Sequence, residues 1–226
     1  METGIRKNIL IILRKNELIT RKQYGFINGR STVLQLITVM EKWTSILDEE
    51  GVVDVAYYDF KKAFDTVPHR RLLEKIKSFN VGGNILKWIS DFLGRRQKRV
   101  IVNGTSSDWK EVISGVPQGS VLGPVLFVMY INDLPEIILN SEMFLYEDDI
   151  KVFKMIKNER DCRRLQDLNR MNKWSKKWLL RIGKTNTVIF QYTMVEDLNQ
   201  IKVDKDLGVK IDQELNFKEH FAEKIK

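Results

Sequence analysis

The chain has 226 residues, of which 43% are apolar and 30% are charged, and its net charge is +8 at pH 7. This composition is ordinary for one large or two small folded domains with a sizeable core. No apolar run approaches the ~18 residues that span a membrane, so we expect no membrane contact. A single cysteine, Cys162, excludes an internal disulfide and favours an intracellular, reducing compartment. Only two histidines could join this cysteine as zinc ligands, which argues against a zinc site.

The positive charge is concentrated in one stretch. Residues 151–184 contain twelve Lys and Arg against three acidic residues, so this block carries +9 and the remainder is close to neutral. Two interpretations remain open for this basic block. It is either the solvated outer face of a helix or a surface that contacts nucleic-acid phosphates.

The first half of the chain alternates helical and strand patterns. Apolar residues at three- and four-residue steps predict helices over 5–18 and 31–49. The apolar, β-rich run over 52–58 predicts a buried strand that ends at Asp59. Two more helices follow Pro68, the second over 85–93, and then two strands that surround the turn residues Asn103 and Gly104.

The second half begins with a glycine-rich loop over 114–124 that leads into an apolar helix. Two short apolar runs flank the acidic residues Glu147, Asp148 and Asp149, a pattern typical of a tight β-hairpin. A long helix is predicted over 162–178, with an apolar stripe and a basic outer face, and two further strands over 188–192 and 207–211.

The acidic hairpin is the strongest candidate for chemistry. Adjacent carboxylates such as Asp148 and Asp149 repel each other unless a cation lies between them, and hard oxygen ligands suit Mg²⁺. If the strand that ends at Asp59 lies beside this hairpin in one antiparallel sheet, three carboxylates converge. Three carboxylates can hold two metal ions for an in-line displacement at phosphorus.

The loop over 114–124 offers a second candidate site. Gly115 and Gly119 allow the backbone to approach a ligand closely, and the Gln118 amide can both donate and accept hydrogen bonds. The loop lacks the Lys-Ser/Thr ending of a Walker loop, which argues against an ATPase.

Five segments in this order resemble the motifs of LINE-type (jockey-like) non-LTR retrotransposon reverse transcriptases. The similarity covers almost the whole chain, and the order and spacing of the motifs make it specific. The matching segments are Phe26 with Gly29–Ser31, Tyr58–His69, Ser114–Pro124, Tyr146–Asp149, and Leu207–Val209 with the residues that follow to His220.

The resemblance implies a role for each matching residue. The metal ligands would be Asp59, Asp148, Asp149 and the backbone carbonyl of Phe60, and they would hold two Mg²⁺ ions, with Mn²⁺ as a substitute. Phe64 would exclude a ribose 2′-hydroxyl, and Lys184 would donate a proton to the departing pyrophosphate. Gln118 and Gly119 would contact the incoming dNTP and the template. The RNA template and DNA primer would be held by Arg30, Tyr146, Leu207 and Gly208.

The implied fold is α+β, a right-hand polymerase palm whose antiparallel sheet is backed by helices. We expect partial fingers over 1–50 and a palm over 51–226, with a fingers insertion at about 66–113 and a primer grip at the end. The rest of the fingers, a thumb and an endonuclease would lie outside this sequence. Location in the nucleus and in a cytoplasmic ribonucleoprotein is also implied, whereas the oligomeric state is not.

Two departures from the family pattern bear on activity. Glu147 occupies a position where relatives have a small or apolar residue, so we expect a catalytically impaired copy. The segment before Lys184 is shortened, which weakens the assignment of that lysine. Two other functions stay open: a non-catalytic nucleic-acid-binding remnant, and a palm-type nucleotidyl cyclase that would need no template.

Overall fold

A computed structural model describes residues 1–49, 51–156, 164–183, 188–192, 204–207 and 209–211. Seven α-helices are assigned within these ranges: α1 Glu2–Lys15, α2 Thr32–Asp48, α3 Ala63–Thr66, α4 His69–Ser78, α5 Gly83–Leu93, α6 Gly123–Ile131 and α7 Arg164–Trp178. A short 3-10 helix follows α6 over Leu134–Ile137. The strands are β1 Val52–Tyr58, β2 Gln97–Lys98, β3 Ile101–Val102, β4 Thr105–Ser106, β5 Lys110–Glu111, β6 Glu142–Tyr146, β7 Asp149–Ile156, β8 Val188–Tyr192, β9 Asp204–Asp206 and β10 Val209–Ile211.

A four-stranded antiparallel sheet lies at the centre of the fold, in the order β6-β7-β1-β8. The central strand β1 covers the seven residues that the apolar run predicts. Ala56 and Tyr58 pack into one hydrophobic cluster, while Val53 and Val55 pack into another. Both faces of β1 are therefore covered, which explains why its sequence is apolar at successive positions rather than at alternate ones.

Helices cover the two faces of the sheet unequally. The larger cluster joins the sheet to helices α1, α4, α5, α6 and α7. Helix α6 is buried along almost its whole length, as expected of a helix that is apolar on every side. The smaller cluster packs α2, through Val39 and Trp43, and the β9–β10 hairpin, through Ile211, against the opposite face. The predicted α+β class is confirmed.

Two predicted elements differ from the structure. The sequence predicts a strand over 207–211, but Leu207 adopts a left-handed turn conformation with φ +46° between β9 and β10. The predicted strand is therefore present as β10 but begins at Val209, because Leu207 belongs to the turn that follows β9. Helix α1 begins and ends three residues earlier than predicted.

The region over 97–111 forms two short ladders rather than two long strands. Strands β2 and β5 pair at its base, and β3 and β4 pair beside the Asn103–Gly104 turn, where both turn residues have positive φ. Among the described residues, none of the helices is long and apolar enough to cross a membrane. Cys162, Lys184, Gly208 and His220 lie outside the described residues.

Candidate active site

The tip of the β6–β7 hairpin carries the acidic residues. Tyr146 pairs with Asp149, so Glu147 and Asp148 form a two-residue turn between the strands. Glu147 has φ +56°, the left-handed conformation that such hairpin turns require. The hairpin prediction is confirmed, and it places two carboxylates at the turn and one at the start of β7.

Asp59 reaches the same end of the sheet. Strands β1 and β7 pair in antiparallel register, with Tyr58 opposite Ile150. The ladder ends at that pair, so Asp59 directly follows the strand at the end of the sheet where Asp149 begins β7, and the charge of Asp59 acts on both Asp148 and Asp149. The expectation that Asp59 lies beside the acidic hairpin in one antiparallel sheet is therefore confirmed.

Neighbouring negative charge acts on the carboxylates of the hairpin tip. Burial, followed by the charges of Asp148, Asp59 and Asp206, raises the pKa of Asp149 to about 6. Burial and the charge of Asp59 raise the pKa of Asp148. Burial and then both neighbouring aspartates raise the pKa of Glu147. The part of each shift that comes from neighbouring charge reflects repulsion that a bound cation would relieve.

The carboxylates at the hairpin tip are of the right chemical type to bind a divalent cation, but their side chains do not surround a common point. Within the described part of the chain, no three Asp, Glu, His or Cys side chains are arranged to hold a metal ion. Three carboxylates at one sheet end, where Asp148 and Asp149 have raised pKa values, are nevertheless the hard oxygen donors that Mg²⁺ or Mn²⁺ takes.

The backbone around Asp59 is held by the segment that follows α7. The Asp59 carbonyl accepts a hydrogen bond from the Gly183 amide at 2.7 Å, and the Lys61 amide donates to the Arg181 carbonyl at 2.8 Å. Phe60 is buried against Trp174, with 6.0 Å between ring centroids. This short bridge fixes the end of β1, where the Phe60 carbonyl is predicted to be a ligand.

The glycine-rich loop docks on the residues that follow β1. The amides of Gly115 and Val116 donate to the carbonyls of Val67 and Phe64, each at 2.8 Å. A Cβ on Gly115 would lie 2.7 Å from the Asp65 carbonyl oxygen, so only glycine permits this approach. Gly115 also has φ +89°. The structure thus brings together two motifs that are separated by about fifty residues.

Phe64, Gln118 and Gly119 lie around this junction. The half-buried Phe64 ring stacks on Phe127, with centroids 4.4 Å apart. The exposed Gln118 amide donates to the Asp65 carboxylate at 3.2 Å. A Cβ on Gly119 would meet nothing within 4 Å, so this glycine borders open space. The assigned roles of these residues in dNTP binding remain predictions.

The loop before α2 touches the hairpin tip through residues that sequence reasoning missed. The Gln23 side chain, 1% exposed, donates to the Glu147 carbonyl at 3.1 Å and accepts from the Glu147 amide at 3.0 Å. Gly25 is so close that a Cβ there would lie 2.4 Å from the Glu147 amide nitrogen. A polar residue in a loop carries no special pattern, so no local signal in the sequence indicates this contact.

Arg30 stabilises the same loop. Its guanidinium donates to the carbonyls of Thr20, at 2.9 Å, and Gln23. Burial lowers the pKa of Arg30, and the group is half-buried. In the structure, Arg30 stabilises the loop before α2 through these hydrogen bonds. Its contact with template or primer remains a prediction.

The basic block is not one continuous surface. Lys151 belongs to the block by sequence, but this side chain is 3% exposed and forms an ion pair with Asp206 of β9. Arg170 pairs with the fully buried Asp167 at 2.6 Å. For Lys151 the interpretation as part of a basic surface was therefore wrong, because α2 and the β9–β10 hairpin cover that face of β7.

Of the remaining predicted site residues, two lie in the part of the chain that the structure describes and two lie outside it. Tyr146 is half-buried and ends β6, opposite Asp149. Leu207 occupies the β9–β10 turn directly after Asp206. Lys184 and Gly208 lie outside the described residues, so their predicted roles have no structural counterpart here.

The sequence matches a known protein family over residues 4–211: Reverse transcriptase (RNA-dependent DNA polymerase). The match covers most of the chain, and the chain belongs to this family. The resemblance inferred from the five motifs is therefore confirmed.

Curated relatives are mobile-element proteins. The chain is 29% identical to the probable RNA-directed DNA polymerase from transposon X-element of Drosophila melanogaster, and 30% identical to the RNA-directed DNA polymerase from mobile element jockey of Drosophila funebris. Each comparison covers 98% of this chain and 26% of the relative. The chain thus spans about a quarter of the length of these relatives.

Solved structures with the same fold include telomerases. Telomerase from Candida albicans, in complex with a TWJ fragment of telomeric RNA, superposes with a TM-score of 0.70 at 11% identity, over 93% of this chain and 36% of that chain. Apo telomerase from Candida tropicalis, truncated from its C-terminal domain, gives a TM-score of 0.65 at 14% identity, over 93% and 43%. This likeness, together with the antiparallel sheet, confirms the palm-like α+β fold.

Proposed function

We propose that the chain is an RNA-directed DNA polymerase domain of a non-LTR retrotransposon. The observation that supports this proposal is the β1–β7 register, which brings the end of β1, where Asp59 follows, to the hairpin tip with Asp148 and Asp149, in a chain of the reverse transcriptase family. In the proposed reaction, a primer 3′-hydroxyl attacks the α-phosphate of a dNTP, a new phosphodiester bond forms, and pyrophosphate leaves.

Asp59, Asp148, Asp149 and the Phe60 carbonyl would hold two Mg²⁺ ions, or Mn²⁺. Bound metal would supply charge neutralisation at the attacking and leaving oxygens. The protein's own contribution would be position, because the hairpin, the end of β1 and the 181–183 bridge bring the carboxylates to one end of the sheet. Phe64 would select deoxyribose through its ring, which stacks on Phe127.

The partners follow from the same proposal. Gln118, Gly119 and Lys184 would bind the dNTP, and Arg30, Tyr146, Leu207 and Gly208 would hold the RNA template and DNA primer. The division into fingers over 1–50 and palm over 51–226 belongs to this proposal, as does a location in the nucleus and in cytoplasmic ribonucleoprotein.

A second candidate is a nucleic-acid-binding protein without polymerase activity. The observation in its favour is Glu147, a third acid at the hairpin tip whose pKa rises because of burial and both aspartates. An added negative charge there opposes the approach of a primer end and of dNTP phosphates. In this alternative the exposed lysines of α7 would bind duplex while synthesis fails.

Primer extension on an RNA template distinguishes these functions. The chain should incorporate dNTPs in the presence of Mg²⁺ or Mn²⁺, and Asp149→Asn should abolish incorporation while Asp91→Asn, a change on the exposed surface of α5, should not. Tight duplex binding without extension in every variant would favour the binding protein. Cyclic product from NTP without template would favour a nucleotidyl cyclase.

A further inference from the structure

A buried ion pair connects the strand of the candidate active site to the hairpin predicted to grip the primer. Lys151 lies on β7, two residues after Asp149, and therefore on the same face of the strand. Its ammonium contacts the Asp206 carboxylate, and the two side chains are only 4% and 5% exposed. Asp206 immediately precedes Leu207, which lies in the β9–β10 turn.

The surroundings of the pair confirm its burial. The Lys151 ammonium lies 5.8 Å from the Trp43 ring centre and 5.6 Å from that of Tyr57. The Tyr57 hydroxyl also donates to the Asp206 carboxylate, at 3.4 Å. Three elements, β1, β7 and β9, therefore converge on one charged contact.

Apolar packing alone does not account for this contact. Ile211 and Val209 already anchor the β9–β10 hairpin against Val53, Val55 and Phe153. Apolar contact is non-directional and tolerates sliding, whereas a buried charge without its partner is strongly unfavourable. Buried ion pairs often add little to stability compared with apolar residues, so their use here points to a requirement for one register.

We propose that the buried Lys151–Asp206 ion pair is a positioning element that fixes the β9–β10 hairpin relative to the catalytic strand and so delivers the primer end to the carboxylates. This inference rests on the proposed polymerase function. Lys151 and Asp206 are positioning residues, since they act through the placement of Leu207 and Asp149 rather than on the reacting atoms.

The test compares single and paired variants of the whole 226-residue chain. Lys151→Met and Asp206→Asn each break the pair, whereas Lys151→Met/Asp206→Leu replaces it with apolar groups and should keep the fold stable. The matched control is Lys75→Met/Asp133→Leu, which removes another ion pair with a buried lysine, away from the hairpin. Tyr57→Phe removes only the weaker contact to Asp206 and should behave like the wild type.

Two readouts are measured for each variant: amide hydrogen exchange over 204–211, and KM and kcat for primer–template in extension. Breaking the pair should speed exchange in β9 and β10 and raise KM for primer–template by about 2- to 30-fold, the range for contacts that couple two sites. The apolar double variant should share the raised KM despite a wild-type melting temperature. The control double variant should change neither exchange over 204–211 nor KM.

Unchanged exchange over 204–211 in the folded variants would overturn the proposal, and so would faster exchange with an unchanged KM. Failure of the wild-type chain to extend any primer would instead overturn the proposed function. In that case the exchange data would still decide whether the ion pair holds the two hairpins in register.

Discussion

At the scale of single residues, the hairpin tip depends on a close contact with the loop before α2. Gln23 holds both backbone groups of Glu147, and Gly25 leaves just enough space for that backbone. Gly25 needs no unusual φ, so its value lies in the missing side chain rather than in conformational freedom. The loop therefore holds the backbone that directly precedes Asp148.

We predict that Gly25→Ala displaces the hairpin tip. The added Cβ would lie 2.4 Å from the Glu147 amide nitrogen, and this contact is with backbone that cannot rotate away. Overpacking of this kind costs about 1–3 kcal/mol of unfolding free energy, and primer extension should fall with it. Gly82→Ala is the control, because a Cβ there meets nothing within 4 Å. If Gly25→Ala kept the stability and activity of the wild type, the close approach of Gly25 to the Glu147 backbone would be contradicted.

Glu147 gives a prediction about charge. Its carboxylate repels Asp148 and Asp149, and both aspartates therefore contribute to its raised pKa. Glu147→Gln removes this charge with little change of shape, and Glu147→Ala removes the charge together with most of the side chain. Both should increase the rate of primer extension at neutral pH, by roughly tenfold if about 1.4 kcal/mol of repulsion is relieved. A lower rate, or weaker dependence on Mg²⁺, would show that Glu147 is a useful ligand.

At the scale of elements, only part of the basic block over 151–184 forms an exposed basic surface. Lys173, Lys176 and Lys177 are exposed on α7, while Lys151 is buried and Arg170 is paired. The sequence could not reveal this division. An alternation of Lys151 with apolar Ile150 and Val152 predicts a solvent-facing lysine, and only the packing of α2 and β10 against that face buries it.

We predict that the three exposed lysines of α7 bind nucleic-acid phosphates. Changing all three to Gln should weaken duplex binding and reduce the slope of log affinity against log salt by ~0.9 for each phosphate that is no longer neutralised. The control changes Lys15, Lys87 and Lys98, which are also exposed but lie on other elements. An unchanged slope in the α7 variant would make these lysines an ordinary solvated face.

Sequence patterns predict the helices and strands themselves better than they predict which strands pair or which loops make contact. Strand β1, the β6–β7 hairpin and most helices follow from local periodicity and turn residues. The register that brings the end of β1 to the hairpin tip pairs Tyr58 with Ile150, about ninety positions later, so only tertiary packing determines it. The roles of Gln23 and Gly25 depend on a contact with Glu147, far along the chain, for which the sequence has no local signal.

At the scale of the whole molecule, Lys75 joins α4 to the helices on the larger side of the sheet. Its ammonium donates to the Tyr130 carbonyl and to the Asp133 carboxylate, and it lies 4.7 Å from the Trp174 ring centre and 4.0 Å from that of Trp178. Burial lowers its pKa from 10.5 to about 8, although Asp133 opposes the shift.

This shift predicts how stability depends on pH. The folded pKa of Lys75 lies below the unfolded value, so the unfolded chain binds more protons between about pH 8 and pH 10.5. Stability contributed by this group therefore rises with pH across that window, by at most about 3 kcal/mol. Urea unfolding of the wild type and Lys75→Met at pH 7.5 and 10 measures it. A difference between the two proteins that does not change with pH would contradict the assignment.

The central claim is that Asp59, Asp148 and Asp149 share divalent metal at one end of the central sheet. Electron paramagnetic resonance counts Mn²⁺ bound to the chain in the presence of primer–template and dNTP. We predict bound Mn²⁺ in the wild type, its loss in Asp59→Asn and in Asp149→Asn, and no change in Asp91→Asn. Equal Mn²⁺ binding by the wild type and both active-site variants would contradict the claim.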